Sequence, residues 1–381
     1  MKNKFWLRMF PLGMVLLLLV CNLSGVRGES PPKNIILFIG DGMGLSTITA
    51  AKIVKGSLIV ERFPHVGLVT TFAANDALIT DSAAAATALA TGYKTTNAQI
   101  SVRYAATDGD HAKLDTLKTV LEWAEENGLS TGLIVTSSIT HATPACFAAH
   151  VLWRSYENEI ARQLAAKDIE VLLGGGEQFF LPKSDSTSAR EDDLNLIEKF
   201  KYKGYKFVSS EDELQQVDPK KTGRLLGLFS DAGMPDIPER KPTLPEMTRK
   251  GLAILQNNKA GFFLMVEGSQ IDWKAHSNDA PGMIDETLEF NQAIAVGLEF
   301  AQKHAQTLIL VTADHETGGC AIIGGSLANN KVKIGFATGS HTAVMVPVFA
   351  TGPGSDVFGG IMDNTFIGQK LIQYVQQRPQ K

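Results

Sequence analysis

Short apolar, β-branched runs recur along the chain, most of them closing on a polar or glycine-rich turn: "NIILFIG" (34–40), "GLVTTFAA" (67–74), "TGLIVTSS" (131–138), "EVLLGGG" (170–176), "FFLMVEG" (262–268), "TLILVTAD" (307–314) and "VPVFATG" (346–352). Between several of them lie amphipathic patterns of helical length, such as "LKTVLEWAEENG" (117–128) and "MIDETLEFNQAIAVGLEFAQKH" (283–304). Strands that are apolar on both faces and alternate with helices bury themselves best in a mainly parallel sheet covered on both sides. The pattern therefore predicts an α/β fold with a central sheet sandwiched between helices. The stretch 182–250 is more charged and carries Pro235, Pro238, Pro242 and Pro245; it reads as a helical insertion within a single domain.

The first 28 residues read differently. Lys2, Lys4 and Arg8 precede an apolar run from Met9 to Val20, and Val26 and Gly28 supply small residues for cleavage, which is the pattern of a secretory signal peptide. The expected location is periplasmic or secreted, with residues 29–381 as the working domain. Cys21 offers lipid attachment as an alternative, for which Val20 is a bulky neighbour. The apolar run is short for a membrane span, and no later segment is long enough for one. Of 36 Lys and Arg against 40 Asp and Glu, residues 1–28 hold four of the basic groups and none of the acidic ones, which leaves the remainder at −8. That balance argues against specific nucleic-acid binding, which favours basic surfaces. Beyond the leader, Cys146 and Cys320 are the only cysteines, and either a disulfide or two buried thiols fits an exported chain.

In open α/β sheets, ligands collect beyond the carboxyl ends of the strands, so the residues standing there matter most. Asp41 follows the first run in "GDGMG", whose spacing fails the dinucleotide fingerprint because Leu45 stands where its last glycine belongs. Glu267 ends "FFLMVE", and Asp272 and His276 follow as D-x-x-x-H, one helical turn apart. Asp314 and His315 follow "TLILVT", and His341 stands just before "VPVFATG". So many carboxylates cannot share one crevice without cations. Mixed Asp and His sets suit zinc and oxygen-only sets suit magnesium, so more than one metal is expected. "TDSAAAATALATG" (80–92) adds a small-residue helix with Asp81 and Ser82 at its start. Ser and Asp there are ordinary helix caps. No G-x-S-x-G elbow surrounds Ser82, but a divalent cation lowers the pKa of a coordinated hydroxyl, and a helix start suits phosphate. Ser82 is thereby expected as a metal-activated nucleophile.

Together the motifs "NIILFIGDGMG", "TDSAAAATALATG", "THATPACFAAHVLWR", "LMVEGSQIDWKAH", "VTADHETGG" and "GSHTA" resemble those of the alkaline phosphatases of bacterial and animal type. "GLFSDAGMPDIPERKPTLPEMTRKGLAIL" resembles that family's connecting segment and "DNTFIGQKL" its C-terminal helix, so the resemblance spans nearly all of residues 33–375. It implies hydrolysis of small phosphate monoesters to inorganic phosphate through a phosphoserine on Ser82. It also implies one zinc held by Asp272, His276 and His341 and a second by Asp41, Asp314 and His315. A third metal, usually magnesium, would be held by Asp41, Glu267 and Thr143, and Arg154 would clamp two phosphate oxygens.

The chain departs from the best-known enterobacterial pattern in carrying His141 and Trp273 where that pattern has Asp and Lys. His141 matches the animal pattern; as a third-site ligand it would shift preference toward zinc or cobalt. Trp273 is assigned to the substrate rim, either as packing or in contact with substrate. Only a short crown (about 316–340) separates His315 from His341, which leaves monomer and homodimer both open. The other readings are a phosphodiesterase- or sulfatase-like relative and a non-catalytic phosphate- or zinc-binding protein.

Overall fold

The computed structural model describes residues 31–103 and 115–377. The proposed signal peptide and Cys21 lie outside the described residues. In chain order the elements begin with β1 (Asn34–Gly40), α1 (Leu45–Lys55), β2 (His65–Thr70), α2 (Ser82–Thr91), α3 (Val120–Glu126), β3 (Ser130–Ser138), α4 (Ala142–Ala148) and α5 (Glu157–Leu164). Then come β4 (Val171–Gly175), α6 (Leu196–Tyr202), β5 (Lys206–Val208), α7 (Glu211–Gln216), β6 (Leu225–Leu228), α8 (Leu244–Leu255), β7 (Phe262–Gly268), α9 (Gln270–His276) and α10 (Ala280–Lys303). The last part holds β8 (Thr307–Thr312), β9 (Glu316–Thr317), β10 (Ala321–Ser326), β11 (Lys331–Gly335), β12 (His341–Thr342), β13 (Val346–Thr351), β14 (Gly360–Asp363) and α11 (Asn364–Gln376).

Ten strands form one sheet in the order β14-β2-β13-β8-β1-β7-β3-β4-β6-β5. All run parallel except β13, which is antiparallel to both β8 and β2. The central strands β1, β3, β7 and β8 are buried along their whole length, as continuous apolar runs covered on both faces must be. The expected α/β sandwich is thus the observed fold. The helical pattern at 117–128 becomes α3, whose start is fixed by a capping box between Thr119 and Glu122.

The segment 182–250 differs from a purely helical insertion. It carries α6 and α7, yet β5 and β6 extend the main sheet beyond β4. Strands of three and four residues are too short to register as apolar runs beside charged neighbours. The segment is also pinned to the body of the fold. Arg240, 1% exposed, grips Glu286 of α10 with two bonds of 2.7 Å and also reaches Glu289. The stretch after β9 is an exposed hairpin of β10 and β11, and β9 pairs with β12.

Strand register levels the functional edge. Ile39 of β1 lies opposite Glu267 of β7 and Thr312 of β8, and Val135 of β3 also faces Glu267. Residues just past those strands therefore converge at one height. The reversal of β13 adds another: its beginning, not its end, lies at this edge, so the segment carrying His341 arrives beside the β8 end.

Candidate active site

Asp41, Glu267, Asp314 and His315 are delivered by the adjacent strands β1, β7 and β8, and all four are fully buried. His141 and Thr143 come from the start of α4, directly after β3, and Asp272, Trp273 and His276 from α9, directly after β7. Three groups of side chains lie close enough to share an ion: Asp41, Asp314 and His315; Asp272, His315 and His341; and Asp41, Glu267 and His141. His276 joins the second group, its Nε2 standing 3.2 Å from Asp272 Oδ2 and 3.0 Å from His341 Nε2. His315 belongs to two groups, so the candidate positions adjoin.

The donor set fits divalent cations. Both carboxylate oxygens of Asp41 and of Glu267, Oδ2 of Asp314, Oγ1 of Thr143 and Nδ1 of His141 are buried without a hydrogen-bond partner among the described residues. Native proteins rarely leave so many polar atoms of one cleft unpaired. His276 Nδ1 faces the Gly339 carbonyl at 2.7 Å and His341 Nδ1 the Thr80 carbonyl at 2.8 Å. A carbonyl only accepts, so each ring holds its proton on Nδ1 and aims the Nε2 lone pair into the cleft. Two lone pairs meeting 3.0 Å apart form a cation ligand set.

The electrostatics are those of crowded like charges. Burial first, and then the charges of Asp314, Asp272 and Glu267, push the Asp41 carboxyl well above its ordinary range. Burial, with Asp314 adding to it, pushes Glu267 up to about 8. Burial also pulls Asp272 upward, but His276, His315, His341 and Thr317 together more than offset it and hold that carboxyl well below the usual range. With no ion between them, the bond to Asp272 raises His276 to about 9, so that a proton takes the place on Nε2 that a cation would displace, whereas burial lowers His315.

Ser82 opens α2, and every residue of that helix is buried. The cap is Asp81, whose Oδ1 accepts from Ala84 N at 2.9 Å. Ser82 Oγ is left free of capping and lies 3.4 Å from His315 Nε2. Asp81 has a second role that sequence reasoning missed: its Oδ2 accepts from Arg154 at 3.1 Å and from Ala98 N at 2.9 Å. Arg154 also donates to His141 Nε2 at 3.2 Å. A guanidinium only donates, so that nitrogen accepts and His141 is neutral, pushed down to about 3 by burial and then by Arg154. With Nε2 accepting, Nδ1 carries the ring's one proton, so His141 would ligate a third metal only by releasing Arg154. Trp273 stands edge-on to His141, ring centres 6.0 Å apart, with its indole over Gly233.

The two cysteines among the described residues, Cys146 and Cys320, are free thiols. Cys146 is buried behind Ser82's helix, 3.1 Å from the Ala83 carbonyl and 3.3 Å from Thr87 Oγ1, and burial pushes its thiol up to about 12. A further residue that sequence reasoning missed is Thr317, in the quoted "ADHETGG". It is fully buried and bonded to two of the candidate ligands.

A family model described as Alkaline phosphatase matches residues 32–332. Alkaline phosphatase 3 of Bacillus subtilis is 35% identical over 90% of this chain and 89% of its own length. Streptomycin-6-phosphate phosphatase of Streptomyces griseus is 32% identical, over 94% of this chain and 95% of its own. The solved structure of alkaline phosphatase from the Antarctic bacterium TAB5 superposes with a TM-score of 0.80 at 35% identity, covering 91% of this chain and 99% of that one. A variant of the same Antarctic enzyme, with a histidine changed to aspartate, has Mg bound in its M3 site.

Proposed function

The chain belongs to the alkaline phosphatase family, and on that premise we propose that it is an exported phosphomonoesterase with Ser82 as its nucleophile. The observation that carries this reading is the meeting of Ser82 Oγ, Arg154 and the unpaired buried carboxylates at one sheet edge. Asp272, His276 and His341 would hold one zinc, and Asp41, Asp314 and His315 a second. Asp41, Glu267 and Thr143 would hold a third metal, taken as magnesium, with His141 at its margin. When bound, these cations supply hydroxyl activation and neutralise charge on the phosphoryl oxygens.

The chain's own groups do the rest. Arg154 offers a planar fork of donors to two phosphoryl oxygens, held in orientation by Asp81. A monoester dianion suits this site better than a diester, because it has more charge for those donors to meet. Ser82 Oγ attacks phosphorus in line; the new O–P bond forms as the ester O–P bond breaks, and the alcohol departs. The phosphoserine is then displaced by water from the opposite side, which returns Ser82 and releases inorganic phosphate. Two inversions give net retention at phosphorus.

The test is hydrolysis of a chromogenic phosphate monoester by purified protein and by Ser82→Ala, with metals quantified in both. Turnover in the first and loss by orders of magnitude in the second, with metals retained, supports the reading. Equal rates would show Ser82 to be a bystander. Faster turnover of a diester than of the monoester would move the chain to the diesterase-like relatives.

A further inference from the structure

We infer that Thr317 is a positioning residue that ties the two proposed zinc positions together through one hydroxyl. The inference rests on the ligand assignment above. Thr317 Oγ1 lies 2.5 Å from Asp272 Oδ1 and 3.2 Å from His315 Nδ1. Asp272 is assigned to one zinc and His315 to the other. A hydroxyl has a single proton. Given to the Asp272 carboxylate, which only accepts, it leaves the oxygen's lone pair for the Nδ1–H of His315. That arrangement fixes His315 in the tautomer whose Nε2 lone pair faces Ser82 Oγ, and it fixes the rotation of both ligands.

The backbone of Thr317 meets the other two ligand-bearing segments. Its N–H donates to the Gly42 carbonyl at 3.1 Å, one residue past Asp41, and it stands opposite His341 in the β9–β12 pair. Gly42 has a φ of +68°, and a Cβ there would lie 2.7 Å from Thr317 Oγ1 and 2.9 Å from Asp272 Oδ1. The chain leaves this position bare so that the hydroxyl–carboxylate bond can lie against the Asp41 loop. A threonine that merely satisfied its own hydroxyl needs one partner, not a ligand from each of two ion positions.

The test compares wild type, Thr317→Val and Thr317→Ser by chelator competition for zinc, starting from metal-free protein. Partners that orient metal ligands are typically worth about 10–100-fold in metal affinity. The expected result is that both tight zinc equivalents weaken by about that factor in Thr317→Val and stay within about twofold of wild type in Thr317→Ser. If only one equivalent weakens, or if Ser fails like Val, the bridging role is wrong. Should Thr317→Val not fold, Thr317→Ala removes the same hydroxyl and is held to the same outcome. A fall in the melting temperature of metal-free Thr317→Val with unchanged zinc affinity would reduce the residue to packing. A wild type that retains no zinc would instead overturn the ligand assignment itself, and the inference with it.

Discussion

Asp81 holds the start of α2 with one carboxylate oxygen and orients Arg154 with the other. Removing it should show two separable effects. Asp81→Ala loses a helix cap, at about 1 kcal/mol, read as a lower urea midpoint. It also frees Arg154, and inorganic phosphate should then inhibit about tenfold more weakly, an effect on the order of 1.4 kcal/mol. A variant that lost stability but inhibited like wild type would remove Arg154 from the phosphate site. Away from the site, Glu125 and Glu122 share α3 and have opposite protonation behaviour. Burial pushes Glu125 up to about 7. Burial also opposes ionisation of Glu122, but His150 and Lys167 outweigh it and pull that carboxyl down to about 2. For Glu125 the folded value exceeds the unfolded one, so its contribution is present below about pH 4.5 and is lost as pH rises through about 7. Glu125→Gln should therefore raise the melting temperature at pH 9 by an amount worth about 1–2 kcal/mol and change it little at pH 5. Thermal scans at both pH values decide it.

At the scale of elements, the decisive contact is between α2 and α11. A Cβ at Gly368 of α11 would lie 2.4 Å from the Ala88 carbonyl and 2.5 Å from Gly92 N, so the two helices meet backbone to backbone. Gly368→Ala must push α11 off α2 and should cost about 1–3 kcal/mol, seen as a lower denaturant midpoint at unchanged slope. An unchanged midpoint would mean that the helices yield without cost. The long buried strands and the helices between them were legible in the sequence because both-faced burial leaves an uninterrupted apolar run. Strands β5, β6, β9, β12 and β14 were not, since two to four residues carry no period. The residues standing at the strand ends were legible for the same reason: strand ends mark where a chain turns into the crevice. Pairings such as Asp81 with Arg154 or Thr317 with Asp272 were hidden. They join segments far apart in the sequence, and nothing local in either segment signals the other.

Across the whole molecule, the site concentrates buried negative charge at the edge of a sheet that is otherwise apolar. Asp41, Glu267, Asp272 and Asp314 are all at most 5% exposed. Their mutual repulsion opposes folding unless cations neutralise it. A strong chelator should therefore lower the melting temperature by about 5–10 °C, as expected when ligands present at ~100 times their dissociation constants are withdrawn. Returning zinc and magnesium should restore it; a melting temperature indifferent to chelation would show that the cluster is stable without ions. The reversed strand also makes completion of the site depend on residues near the end of the chain. Strand β2 has only β13 and β14 for sheet neighbours, and both are encoded near the opposite end of the chain. Until those late residues insert, β8 keeps an open edge, β2 has no place in the sheet, and His341 is absent from the crevice. Such non-local closure is slow. A nascent or partly folded molecule without this segment therefore holds only part of the metal trap.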